Sequence, residues 1–276
     1  MKPIETLPDD AARAVDFVLT DIDDTLTENG YLGPKAYGSL WALHRAGIRV
    51  IPVTGRPAGW CDLIVREWPV DGVVGENGAF VYYREGRMVR TMTHPSVAGR
   101  DVRGKLDEIR DAVLAEVPGS RVARDQFARL FDLAIDFRED PPELTLEDAR
   151  RIKSICERYG ANAKISSIHV NTWFGSYDKV TTSSMFLKGH YGVSDEELKH
   201  RVLFCGDSPN DEPMFRLFPL SCAVANIEEF AGLLGHEPGF VSRGSHGTGF
   251  AEIIDTLLEK RGKVVGKSVD NRSETY

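Results

Sequence analysis

The run Phe17-Val18-Leu19-Thr20 gives way at once to Asp21-Ile22-Asp23, and that abrupt change of character limits what the chain can fold into. A short apolar run bounded in this way suits a strand buried on both faces, as in a parallel sheet. Carboxylates at its end and two positions on are then aimed at the crevice outside the carboxyl edge of an open α/β sheet. Two acids crowded there repel each other. The pair is tolerable only if a cation neutralises it or one acid keeps a proton. The expected chemistry is therefore a metal site, or a nucleophile beside a general acid.

The same pattern recurs along the outer parts of the chain. Pro34 opens a helical segment containing Leu40 and Leu43, and Gly47 ends it as a left-handed cap would. Ile48–Val53 is a second apolar run, closed by Thr54-Gly55-Arg56-Pro57. A helix through Cys61 to Trp68 follows, then a third strand at Gly72–Val74 and the loop Glu76-Asn77-Gly78. Ala79–Tyr83 and Met88–Met92, separated at Glu85-Gly86, read as a hairpin. A βαβαβ order predicts a parallel sheet with right-handed crossovers. The order resumes after residue 175. A helix is expected at Thr181–His190, with strands at Arg201–Cys205, Leu220–Val224 and Phe240–Val241. Short helices are expected at Glu212–Phe218 and Glu228–Leu234, and a closing helix at Gly249–Lys260.

The middle differs in period. Val102–Val117 is amphipathic, Arg129–Phe137 and Ala163–Val170 alternate like half-buried strands, and Thr145 caps a helix ending near Tyr159-Gly160. Antiparallel strands carrying two helices form an α+β layer of their own. The predicted organisation is a discontinuous core at 1–92 and 175–262, an inserted domain at 93–174 and a flexible tail at 263–276. Hinges are expected near 92–93 and 174–176.

Charge and composition exclude several classes. A net charge of −8 opposes non-specific nucleic-acid binding, which needs a basic face. No apolar run approaches the roughly 20 residues that span a bilayer, and the acidic N-terminal segment with Pro3 and Pro8 has no signal-peptide pattern. A cytoplasmic protein is expected. Cys61, Cys156, Cys205 and Cys222 are scattered without a C-x-x-C pair, so neither a disulfide framework nor a zinc site is expected. Nothing in the sequence specifies an oligomeric state.

Four polar segments follow strands or open helices: Asp21/Asp23, Thr54-Gly55-Arg56, Asp178-Lys179, and Gly206-Asp207-Ser208-Pro209-Asn210-Asp211. In a parallel sheet such ends share one edge. Together these motifs resemble the haloacid dehalogenase superfamily, in the branch with an inserted α/β cap that includes sucrose-phosphate and mannosyl-phosphoglycerate phosphatases. The match rests on D-x-D-x-T at Asp21, Asp23 and Thr25, on Thr54, on Lys179, and on G-D-x-x-N-D at Gly206, Asp207, Asn210 and Asp211.

The resemblance implies a Rossmann-like core with a cap and an Mg²⁺-dependent phosphomonoester hydrolase acting on a small phosphorylated metabolite, a sugar phosphate being expected. Asp21 would be the nucleophile, forming an aspartyl-phosphate, and Asp23 the general acid and base. Lys179 would favour the ionised form of Asp21. The metal positions would be Asp21, Asp23 (through its carbonyl), Asp207 and Asp211. Thr54, Gly55 and Arg56 would hold the phosphoryl group, Asn77 would touch substrate, and Asn210 would position Lys179. Four carboxylates and a phosphate dianion could not share one site without cations: unit charges about 4 Å apart interact by about 4 kcal/mol at an effective dielectric near 20. The same residues suit a phosphomutase or phosphotransferase. A non-catalytic phosphate-binding module is a third reading, although no acid of the motifs is missing. Asp24 is read as a turn or helix-cap residue and Thr27 as structural; His169, Asn171 and Trp173 end a cap strand and either face the substrate when the cap closes or belong to a sheet face or interface; His246 is part of a Gly-rich loop that could approach the site.

Overall fold

The computed structural model describes residues 1–166 and 168–262; the predicted tail lies outside the described residues. The strand Phe17–Thr20 pairs in parallel with Arg49–Pro52 on one side and with Val202–Gly206 on the other. Leu220–Ala223, Phe240–Val241 and Lys2–Pro3 extend the sheet to six parallel strands. The last of these, at the N-terminus, carries no periodic pattern and was not expected.

Alternate residues of the central strands feed two different cores, because side chains in a strand point to opposite faces. Val18, Val50, Leu203 and Cys205 pack with Leu40, Leu43, Ile253 and Leu257. Phe17, Leu19, Ile51 and Phe204 pack with Phe186, Leu198 and Phe215 on the other face. Each fully buried Leu or Phe contributes about 1.5–3 kcal/mol, so helices are held on both faces and only the strand ends are left to carry polar groups.

The third parallel strand, expected at Gly72–Val74 and observed at Gly72–Gly75, reaches the sheet through one parallel bridge, Val53 to Val74. Instead of a full ladder, the Asp71 carboxylate accepts the Val50 N–H at 2.9 Å. The strand then forms an antiparallel sheet with Phe80–Glu85 and Met88–Thr93.

A second layer holds four antiparallel strands in the order Asn162–Ile165, His169–Trp173, Asp132–Asp136, Arg121–Val122. Its own apolar core joins Leu133, Ile135 and Val170 to Ile109 and Val113 of the helix Arg103–Glu116 and to Ile152 and Cys156 of the helix Leu146–Arg158. Thr145 caps the latter helix in a reciprocal capping box with Asp148. The single strand expected at Ala163–Val170 is instead a hairpin. The Ser166 N–H donates to the His169 carbonyl at 2.8 Å, while the Ser166 hydroxyl accepts from the His169 N–H at 3.0 Å, a side-chain turn that competes with the ladder. The expected helix at Glu228–Leu234 is a 3₁₀ segment at Ala225–Phe230, and the closing helix starts earlier, at His246. All four cysteines are buried free thiols. No helix among the described residues is long and apolar enough to cross a membrane.

Candidate active site

Asp21 stands one residue past the central strand, and its N–H continues the ladder to the Cys205 carbonyl at 2.9 Å. Asp207 follows the adjacent strand Val202–Gly206. Asp211 closes a 3₁₀ turn begun by Pro209. Oxygens of Asp21, Asp207 and Asp211 lie within 4.8 Å of one another, and all three residues are buried.

Lys179 opens the helix Lys179–Tyr191, which Asp178 caps together with Thr181. Its ammonium donates to Asp21 Oδ1 at 2.6 Å, to Asp211 Oδ1 at 3.0 Å and to Asn210 Oδ1 at 3.4 Å. Burial opposes the charge, but Asp21 and Asp211 raise the lysine above its ordinary value.

One lysine does not balance three acids. Burial, opposed by Lys179 and reinforced by Asp211 and Asp23, lifts Asp21 to about 7. Burial followed by Asp211 and Asp21 lifts Asp207 to about 9. The donors are hard carboxylate oxygens, the set that Mg²⁺ takes, and the cluster lacks positive charge. These residues therefore fit a divalent cation.

Two further groups position the Asp207 carboxylate: the Thr25 hydroxyl donates to it at 2.9 Å, and the Asn226 amide at 3.4 Å. Asn226 and the His246 ring also meet the Asp24 carbonyl at 3.0 Å each. His246 thus braces the loop after Asp21. Asp24 itself has φ of 59°, the turn geometry expected of it. Gly206 admits no side chain, because a Cβ there would lie 2.7 Å from Asp211 Oδ2.

The Asp23 carboxylate turns away from the three-acid group. Arg56 Nε and Nη2 both donate to it, the shorter bond being 2.6 Å. Burial works against Arg56, but the pairing with Asp23 outweighs it and raises the guanidinium.

Thr54 is fully buried, and its hydroxyl accepts the Arg56 N–H at 3.1 Å. The Asn77 N–H donates to the Thr54 carbonyl at 3.1 Å. A Cβ on Gly55 would meet the Asn77 amide at 3.2 Å and the Asn171 amide at 3.6 Å, so the phosphate-loop candidates and a strand of the second layer converge. Next to Asn77, Gly78 has φ of 110°, and a Cβ there would lie 2.2 Å from the Asp178 carbonyl oxygen. The loop and the lysine helix touch through main chain.

Sequence reading missed the groups that join the layers. Glu76, fully buried, accepts N–H bonds from Ala58 in the core at 3.0 Å and from Leu130, Phe131 and Asp132 at 2.8, 2.6 and 3.1 Å. Arg129, also buried, donates to the Gly55 carbonyl at 3.2 Å and pairs with Asp125 and Asp132. The only signal was the spacing of Asp125, Arg129 and Asp132, which any exposed helix could show.

The α/β sheet thus carries a buried acidic cluster and a lysine at its carboxyl edge. Residues 18–107 match the profile of haloacid dehalogenase-like hydrolases. A phosphoglycolate phosphatase of Methanobrevibacter smithii is 23% identical over 253 residues, covering 88% of this chain and 99% of that protein. A solved Thermoplasma acidophilum protein superposes with a TM-score of 0.68 at 21% identity, covering 88% of this chain and 98% of the other. The sucrose-phosphatase of Synechocystis, solved with sucrose and phosphate, gives 0.60 at 16% identity, covering 89% and 98%. Over residues 18–107 the chain is similar to the haloacid dehalogenase-like hydrolases, and its fold is shared with these solved structures.

Proposed function

We propose that the chain is a magnesium-dependent phosphatase that hydrolyses small phosphomonoesters, of the sugar-phosphate kind, through a phosphoaspartate at Asp21. The observation that carries this reading is the Lys179 ammonium held between Asp21 and Asp211 inside a buried group of acids. Asp21, Asp207 and Asp211, with the Asp23 carbonyl, would hold Mg²⁺, which when bound offsets their charge and that of the phosphoryl group.

Asp21 supplies the attacking oxygen: a new O–P bond forms and the ester O–P bond breaks. Asp23, once protonated and free of Arg56, gives its proton to the leaving alkoxide. It then takes a proton from water as that water attacks phosphorus, releasing phosphate and restoring Asp21. Thr54, Gly55 and Arg56 hold the phosphoryl oxygens and Asn77 contacts the substrate. Asn210 steadies Lys179.

In this reading, residues 1–92 and 175–262 form the catalytic core and 93–174 a cap that limits water access. The related phosphoglycolate phosphatase and sucrose-phosphatase support a phosphatase over other hydrolases. The test is phosphate release from p-nitrophenyl phosphate with Mg²⁺. Activity should disappear in Asp21→Asn; an Asp21→Asn protein as active as the parent removes the mechanism.

A further inference from the structure

The second layer turns one face of its sheet away from its own helices. Val170 and Thr172 alternate with His169, Asn171 and Trp173, and the pairing puts Lys164 opposite Asn171 and Asn162 opposite Trp173. Val170 lies in the layer's core. The other set, which side-chain alternation puts on the opposite face, includes Asn171, whose amide approaches Gly55. This face therefore looks onto the catalytic loops.

Most charges on this face are already paired. Asp132 meets Arg129, Asp136 meets Arg121, and His169 meets Glu139. Three groups are not. The Asn171 carbonyl oxygen and the Trp173 indole N–H are buried without a hydrogen-bond partner, and their residues are only 8% and 3% exposed. The Lys164 ammonium has no hydrogen bond or ion pair among the described residues. Buried polar groups are normally satisfied, so unsatisfied ones over a reaction site call for a ligand.

Lys164 and Trp173 line a cavity of about 480 Å³ together with Lys179, Asn210 and Asp178, within the size range of small-ligand pockets. Burial, and then repulsion from Lys179, lowers Lys164, while Asp211 and Asp178 only partly offset this. Lys179 is fully engaged by Asp21 and Asp211. An anion contributed from outside the protein would relieve Lys164. The reacting phosphoryl group is taken by the nucleophile and its loops, so that anion belongs to the other end of the substrate. Glu157, which also lines the cavity, pairs with Lys153, and the Asp178 carboxylate accepts the Thr181 N–H of its own helix, so the Lys164 ammonium is left to match one negative charge.

We propose that Lys164, with the Trp173 indole N–H, is a specificity subsite for a carboxylate on the substrate, making the preferred substrates small phosphorylated carboxylic acids. The proposal rests on the phosphatase reading above and, within small phosphomonoesters, puts phosphorylated acids in place of neutral sugar phosphates. Lys164 is a positioning residue here and takes no part in bond breaking.

The test compares kcat and KM with Mg²⁺ for 2-phosphoglycolate, for ethyl phosphate as its uncharged-tail counterpart, and for propane-1,3-diol bisphosphate. The parent protein should prefer 2-phosphoglycolate to both. Lys164→Met should cost roughly ten- to hundredfold in kcat/KM on 2-phosphoglycolate, mainly through KM, as expected for a lost charge-assisted hydrogen bond. Ethyl phosphate should change by less than about threefold, which also reports that the variant is folded. Lys164→Arg should recover most of the loss. Equal losses on both monophosphates, no loss on either, or a preference for the bisphosphate would overturn the subsite. Failure of the parent to hydrolyse any of the three would overturn the phosphatase reading itself, and the subsite with it.

Discussion

Gly206 shows how tightly single residues are specified around the acids. A methyl group there would press on both Oδ2 and Cβ of Asp211, at 2.7 and 2.9 Å, and Asp211 has no exposed surface through which to retreat. Gly206→Ala should lower stability by about 1–3 kcal/mol, the usual cost of overpacking. It should also lower kcat by pulling Asp211 off Lys179. Thermal unfolding and phosphate-release kinetics check both; a fully active Gly206→Ala protein would show that the Lys179–Asp211 contact is dispensable. At this scale the sequence was informative where function demands a fixed order of residues. Asp21, Lys179, Asn210 and Asp211 stand together because each follows a strand or starts a helix at one sheet edge. The Asp23 carboxylate was harder to place: its partner Arg56 lies on the next strand's loop, and no local pattern announces a fork between them.

Between elements, the strongest link is one carboxylate. Glu76 caps the start of the helix Ala58–Glu67 through Ala58 and takes three consecutive N–H groups of the second layer. Burial and then Asp132 push it up to about 8, against the pull of those N–H groups. Glu76→Gln would turn an amide N–H₂ toward main-chain donors, leaving one or more unsatisfied at about 1–3 kcal/mol each. The expected outcome is a lower melting temperature and faster amide exchange across 124–132, with a raised KM. Unchanged exchange there would mean the layers are joined elsewhere. This junction was illegible in the sequence because both sides of it are irregular backbone. The hairpin at Asn162–Trp173 was misread as one strand because the apolar period slips by only one residue between Ile165 and Ile168, while Ser166 closes the turn through both its main chain and its side chain.

Taken whole, the metal-free protein carries an electrostatic load that depends on pH. Asp21 and Asp207, lifted to about 7 and about 9, keep protons in the fold that the unfolded chain releases from about pH 4 upward. The native state then binds more protons than the unfolded state, so unfolding free energy falls as pH rises toward 9 and is greatest at the acid side of that window. Melting temperatures in a chelator should decline from about pH 5 to about pH 9, and excess Mg²⁺ should flatten the decline; identical curves with and without Mg²⁺ would argue against cation binding by these acids. The overall architecture was readable because apolar runs and helical periods alternate regularly. The N-terminal edge strand escaped because two residues carry no period.

The main-chain contact between Gly78 and Asp178 acts as a fixed ruler. It spaces the Asn77 loop from the lysine helix without involving any side chain, so drift in the surrounding sequence can alter what those two segments recognise without changing how far apart they stand.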